Sequence, residues 1–120
     1  MKPGIALLLL VLLPGLAFGQ APGRVQIGVC VDFDRFEAAQ AAGFDYVETN
    51  ASKVAALTDA DFEKLAAQVA QLRIPLAASM SFVPGAIKLT GPEVDPARQL
   101  AYVTNTLGRL KRLGVKVVVF

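Results

Sequence analysis

Four apolar, β-branched runs alternate with helix-patterned segments along this chain, and that alternation limits the fold more than any other feature. Val25 to Val31, VQIGVCV, reads as a strand. Phe33, Phe36 and Ala39 follow at helical spacing and stop at Gly43. Asp32 and Asp34 can each cap this helix, and Asp34 with Glu37 makes a capping-box-like pair. Phe44 to Glu48 is a second strand. Ala51 to Leu57 reads as a short turn of helix, and Thr58 opens a clearer one with Asp61 three residues on. Phe62, Leu65, Ala66, Val69 and Leu72 form its apolar face. Ile74 to Met80 is a third strand, with Pro75 confining pairing at its start. Ser81 to Glu93 is a loop punctuated by Pro84-Gly85 and Gly91-Pro92. Asp95-Pro96 starts a last helix, with Leu100, Val103, Leu107 and Leu110 as its expected buried face. Gly114 ends it, and Val115 to Phe120, VKVVVF, is a fourth strand.

The order β-α-β-α-β-α-β predicts an α/β fold with a parallel sheet and right-handed crossovers. Two helix exits, AAGFDYVE and RLGVKVVV, both run helix, glycine, strand, which reads as one αβ turn used twice. Two architectures fit. One is a small doubly wound sheet complete at four strands. The other is the first half of a (β/α)₈ TIM barrel, which takes about 250 residues when whole. VKVVVF favours the second, because it is patterned for burial and no helix pattern follows to cover it.

Ahead of these units, Met1 to Gly4 carries one positive charge, Ile5 to Leu13 is unbroken apolar sequence, and Ala17-Phe18-Gly19 offers small residues where a signal peptidase reads. Residues 1–19 are therefore expected to be a secretory signal peptide, cleaved after Gly19 or Ala21. Pro14 stops the run short of a membrane span. Residues 20–24 form a short extension and 25–120 the domain, exported to the periplasm or outside the cell, with no stable membrane span after cleavage.

Of 12 lysines and arginines, Lys2 lies in the leader, leaving eleven against 10 acidic residues. That balance gives no electrostatic footprint for nucleic acid. Arg109, Lys111, Arg112 and Lys116 cluster near a helix C-terminus, where they complement the dipole. Histidine is absent, which removes the commonest general base and metal ligand. The single cysteine, Cys30, allows no internal disulfide. There is no G-x-G-x-x-G, P-loop, G-x-S-x-G or C-x-x-C.

Glu48 is expected at the C-terminal end of the second strand, the edge where parallel α/β folds bind ligands. Alternation puts Phe44, Tyr46 and Glu48 on one face. Glu48 is either a pocket carboxylate or a charge where a strand reaches water. Cys30 ends the first strand in the same layer and reads as a small buried filler or a pocket residue. Ser81 and Lys88 lie in the loop after the third strand, where Lys88 can meet an anionic group or simply be solvated.

Together IGVCV, AAGFDYVE, SFVPGAIKLTGPEVDP and LGVKVVVF resemble the opening of the sugar phosphate isomerase/epimerase family, the xylose isomerase-like barrels, over Val25 to Phe120. The resemblance implies a partial TIM barrel. In a full-length barrel it implies proton transfer between neighbouring carbons of a ketose or aldose, with Mg²⁺, Mn²⁺ or Zn²⁺ polarising the sugar oxygens. The family's metal ligands come from later strands, so no catalytic or metal-binding residue carries over to this chain. It is expected to be an incomplete, inactive N-terminal portion. Glu48, Ser81 and Cys30 carry over as substrate-binding residues. Met80 stands where relatives often have asparagine. The same resemblance allows self-association through open sheet edges. A small exported flavodoxin-like binding or interaction domain without activity is the alternative.

Overall fold

A computed structural model describes residues 23–120. The leader and its cleavage site lie outside the described residues. The elements are β1 (Gly28–Cys30), a 3-10 turn (Phe33–Arg35), α1 (Phe36–Ala41), β2 (Tyr46–Asn50), α2 (Ala51–Ala56), α3 (Asp59–Gln71), β3 (Leu76–Met80), α4 (Pro96–Arg112) and β4 (Val117–Val118). Among the described residues no helix is long and apolar enough to cross a membrane.

All four strands pair in parallel, in the order β1-β2-β3-β4. Each crossover steps the same way across the sheet, so right-handed connections put every helix on one face. A doubly wound sheet reverses its order partway and covers both faces. The sequential order is that of a TIM-barrel segment, and the burial pattern agrees. Along β2, Val47 and Thr49 are buried, whereas Tyr46, Glu48 and Asn50 are only half-buried. The buried face packs on Phe36 and Ala39 of α1, Val54 of α2, Phe62 and Leu65 of α3, and Leu110 of α4, in one core.

Local chemistry explains the element ends. Thr58 Oγ1 accepts from the Asp61 N–H at 3.1 Å and caps α3, and Asp95 Oδ1 accepts from the Arg98 N–H at 3.0 Å and caps α4. The two similar exits close by one motif. At the first, the Gly43 N–H donates to Gln40 O and the Phe44 N–H to Ala39 O. At the second, the Gly114 N–H donates to Lys111 O and the Val115 N–H to Leu110 O. Gly43 and Gly114 have φ of 87° and 81°, which the motif requires and which glycine adopts without penalty.

Several expectations need correction. The second strand runs to Asn50 rather than Glu48, because Thr49 is buried and pairs with Ser79 and Asn50 pairs with Met80. Neither Asp32 nor Asp34 caps a helix: no side-chain cap bond forms at the 3-10 turn or at α1. The buried side of α4 is Thr106 and Leu110, with Val103 partly buried, while Leu100 and Leu107 are 68% and 44% exposed. Thr106 replaces a leucine there because its hydroxyl donates to Tyr102 O at 2.7 Å, one turn back, and so is buried satisfied. Arg109 does not serve its own helix end. It reaches the C-terminal carbonyls of α2 instead.

Candidate functional site

The C-terminal ends of β1, β2 and β3 open onto a cleft of about 260 Å³, lined by Cys30, Val31, Asp32, Asn50, Lys53, Met80 and Ser81. β2 and β3 end level, with Asn50 in register with Met80, whereas β1 ends two residues lower, with Cys30 in register with Glu48, and Val31 and Asp32 continue from it along the cleft. Asn50 has a second task. Its Oδ1 accepts from the Lys53 N–H at 3.2 Å and from the Ser52 hydroxyl at 2.6 Å, so the strand end becomes the cap of α2. That cap swings Lys53 over the cleft, where its ammonium pairs with Asp32 from the β1 end. The pair is more than half exposed and adds little stability. Its value is to hold a cation and a carboxylate side by side at the rim.

Of the residues expected from sequence, Cys30 and Ser81 line the cleft. Cys30 is exposed, not a buried filler, and its thiol donates to Met80 Sδ at 3.1 Å. Ser81 has φ of 54°, a left-handed conformation that non-glycine residues adopt at a cost of about 1–2 kcal/mol. The turn aims the chain from β3 into the loop and leaves Ser81 exposed beside Met80. Glu48 lies one inner-face step below the rim, in the middle of β2, and is not a lining residue of the cleft. Lys88 sits apart, in the loop before α4, near Glu93 and Asp95.

Nothing in the sequence analysis marks Asp32, Asn50 and Lys53 as site residues. Asn50 between an apolar strand and ASK carried a readable signal, that of a strand end doubling as a helix cap. The Asp32–Lys53 contact spans 21 residues and leaves no local trace.

Below the rim the inner face narrows. A Cβ on Gly28 would fall 2.1 Å from a Tyr46 ring carbon, so the tyrosine ring lies flat on the β1 backbone and fills the space below Cys30. Among the described residues no three His, Cys, Asp or Glu side chains come together as a metal site. Asp32 is engaged by Lys53 and Glu48 is a step away, so these donors do not fit a divalent cation, and no chemistry is routed through one here.

Partial burial raises the pKa of the Cys30 thiol, and the carboxylates of Glu48 and Asp32 raise it further, with Lys53 opposing them. The thiol form is therefore favoured at neutral pH, and thiolate, the nucleophile, forms only at higher pH than for an ordinary cysteine. Alkylation by iodoacetamide is expected to be slow at pH 7, with its half-maximal rate displaced above that of a free thiol. Glu48→Gln removes one raising charge and shifts that midpoint down. A midpoint at or below the free-thiol value, unmoved by the substitution, would contradict this electrostatic picture.

No protein-family model matches the sequence, and no curated protein matches it either. Among solved structures, the backbone superposes on the apo form of the 3-keto-D-glucoside 4-epimerase YcjR from E. coli with a TM-score of 0.57. The chain is similar in fold to a sugar epimerase. Sequence identity is 17%, so the likeness concerns the fold alone. The match covers 79% of this chain and 37% of the epimerase chain.

Proposed function

We propose that this chain contributes the opening strands of a sugar isomerase or epimerase of the xylose isomerase-like kind, and that the cleft over β1, β2 and β3 is part of its sugar-binding wall. The observation that carries the reading is the cleft itself. It lies at the C-terminal ends of parallel strands, on a fold similar to a sugar epimerase, and combines polar groups with an apolar floor at Val31 and Met80. Asp32, Asn50, Lys53 and Ser81 are the hydrogen-bonding groups such a wall needs. Sugar hydroxyls both donate and accept. The rim answers with a carboxylate that accepts, an ammonium that donates, and an amide and hydroxyl that do either.

Proton transfer between neighbouring sugar carbons needs an acid–base pair and an electrophile at the carbonyl. The described residues supply binding groups without a metal centre, so this chain binds and positions while the remainder of a full-length barrel supplies the metal and catalysis. The protein works after export and loss of its leader. Glu48 supports the wall from below, shaping the charge around Cys30 rather than meeting the sugar directly.

The test is calorimetric titration of the chain with a methyl 3-keto-glucoside and with methyl glucoside. A dissociation constant of order 1 mM is expected, since a wall without its opposite side captures only a few hydrogen bonds. Lys53→Ala or Ser81→Ala should weaken it several-fold. Binding untouched by both substitutions would mean that the sugar does not sit in this cleft. Metal-dependent sugar isomerisation by this chain alone would contradict its role as a binding portion.

A further inference from the structure

We propose that the groove between α2 and α4 is a second binding site, one that takes a medium-chain alkyl carboxylate, with the tail in the groove and the carboxylate on Arg98. This holds whether or not the strand-end cleft takes a sugar. α2 packs on α4 and contributes Ala55 and Ala56 to the groove, α4 contributes Ala101 and Tyr102, and the loop after β3 contributes Pro84 and Ile87. The alanines are too small to fill the space between the two helices. The third wall is the turn that the Ile87 N–H closes on Pro84 O at 2.9 Å. The space is about 480 Å³, the size of a small-molecule site, and its walls are mainly apolar. Those walls all come from residues 52–102, in the middle of the chain, so the groove is the same in a longer barrel.

Charge selects the ligand. The Ser52 hydroxyl at the groove donates to Asn50 Oδ1 at 2.6 Å, and the Tyr102 hydroxyl donates to Phe82 O, so both donors are committed within the chain. Arg98 is the charged residue of the lining, and no carboxylate accompanies it there. Glu93 and Asp95 border the hollow on the other side of Arg98, yet among the described residues its guanidinium forms no ion pair. It stands in the first turn of α4, where the helix dipole disfavours a cation, so helix stability does not account for it. A cationic ligand finds no carboxylate in this groove. A sugar would leave most of its hydroxyls unpaired against apolar walls. A single carboxylate matches one guanidinium in charge and in its fork of donors, whereas a phosphate dianion would keep an unmatched charge.

Calorimetric titration of the chain with octanoate and with 1-octanol tests this. Octanoate is expected to bind at one site with a dissociation constant of order 1 mM, as befits a ligand of this size in an open groove. It should bind about five-fold more tightly than octanol, the difference one charge-assisted pair makes at a surface. Arg98→Gln should remove that difference and leave octanol binding as it was. Ala101→Leu changes an exposed position of α4 and fills the groove, so it should weaken both ligands about ten-fold with unchanged circular dichroism. Lys53→Ala, in the strand-end cleft, should change neither. No saturable binding of octanoate, equal binding of octanoate and octanol, binding that survives Ala101→Leu, or a loss with Lys53→Ala in place of Arg98→Gln would each overturn the proposal.

Discussion

Arg109→Ala lowers the unfolding free energy by about 3 kcal/mol, because one guanidinium closes the end of another helix. Its Nη1 donates to the carbonyls of Val54, Ala55 and Leu57, at 3.0, 3.3 and 2.7 Å, and its Nη2 pairs with Asp59 at 2.7 Å. These carbonyls lie where α2 stops and the chain turns into α3; Val54 O also accepts the Leu57 N–H at 3.4 Å. The side chain is only 12% exposed and lies over the Phe62 ring, 5.0 Å from its centre, with Arg112 also 4.8 Å from that centre. Removing it strands the partly buried carbonyls and uncovers the ring. Arg109→Lys should recover less than half the loss, since an ammonium cannot serve a carboxylate and three carbonyls from one planar fork. Urea unfolding of the two variants measures both values. A loss under about 1 kcal/mol for the alanine variant would mean water replaces the guanidinium freely.

Phe82→Ala should cost still more, about 3–5 kcal/mol, by the usual cost of emptying a buried aromatic site. Phe82 is 2% exposed and follows Ser81 directly. Its ring meets Tyr102 edge-on at 6.0 Å and Phe120 at 5.1 Å, and its carbonyl accepts the Tyr102 hydroxyl. This anchor holds the start of the 81–95 loop against α4 and keeps Ser81 in its left-handed turn. The variant should therefore lose stability and loosen the cleft together. Thermal unfolding gives the first effect. Faster amide exchange at Ser81, beyond that at Asn50, gives the second. A stability loss with no local change at Ser81 would leave Phe82 as core alone.

These two effects mark what could be read from the chain. Four helix ends are legible because chemistry that acts locally punctuates them, at Thr58, Asp95-Pro96, Gly43 and Gly114, whereas the cap expected of Asp32 or Asp34 does not form. The parallel α/β class followed from apolar runs alternating with those helices. The edges of the reading failed where a polar residue was buried by tertiary context. Thr49 and Asn50 look like loop, yet one pairs with Ser79 in the core and the other with Met80 at the rim. Thr106 took a buried place expected of leucine by bonding its own backbone, and Leu100 and Leu107 stayed exposed on the flank of α4. Arg109 looked like a dipole partner for its own helix because its true partners lie more than fifty residues away. The cleft divides the same way. Cys30 and Ser81 were visible as strand-end positions, but the Asp32–Lys53 pair exists only once α2 is capped and folded back.

The proposed sugar-binding wall lies at the strand ends of β1, β2 and β3. Amide-resolved NMR of the chain during titration with a methyl 3-keto-glucoside tests it most directly. Saturable shifts are expected at Cys30, Asp32, Asn50, Lys53 and Ser81, with the helix-end residues Gly43 and Gly114 unmoved. Shifts confined to the opposite ends of the strands, or absent from the cleft at saturating sugar, would contradict it.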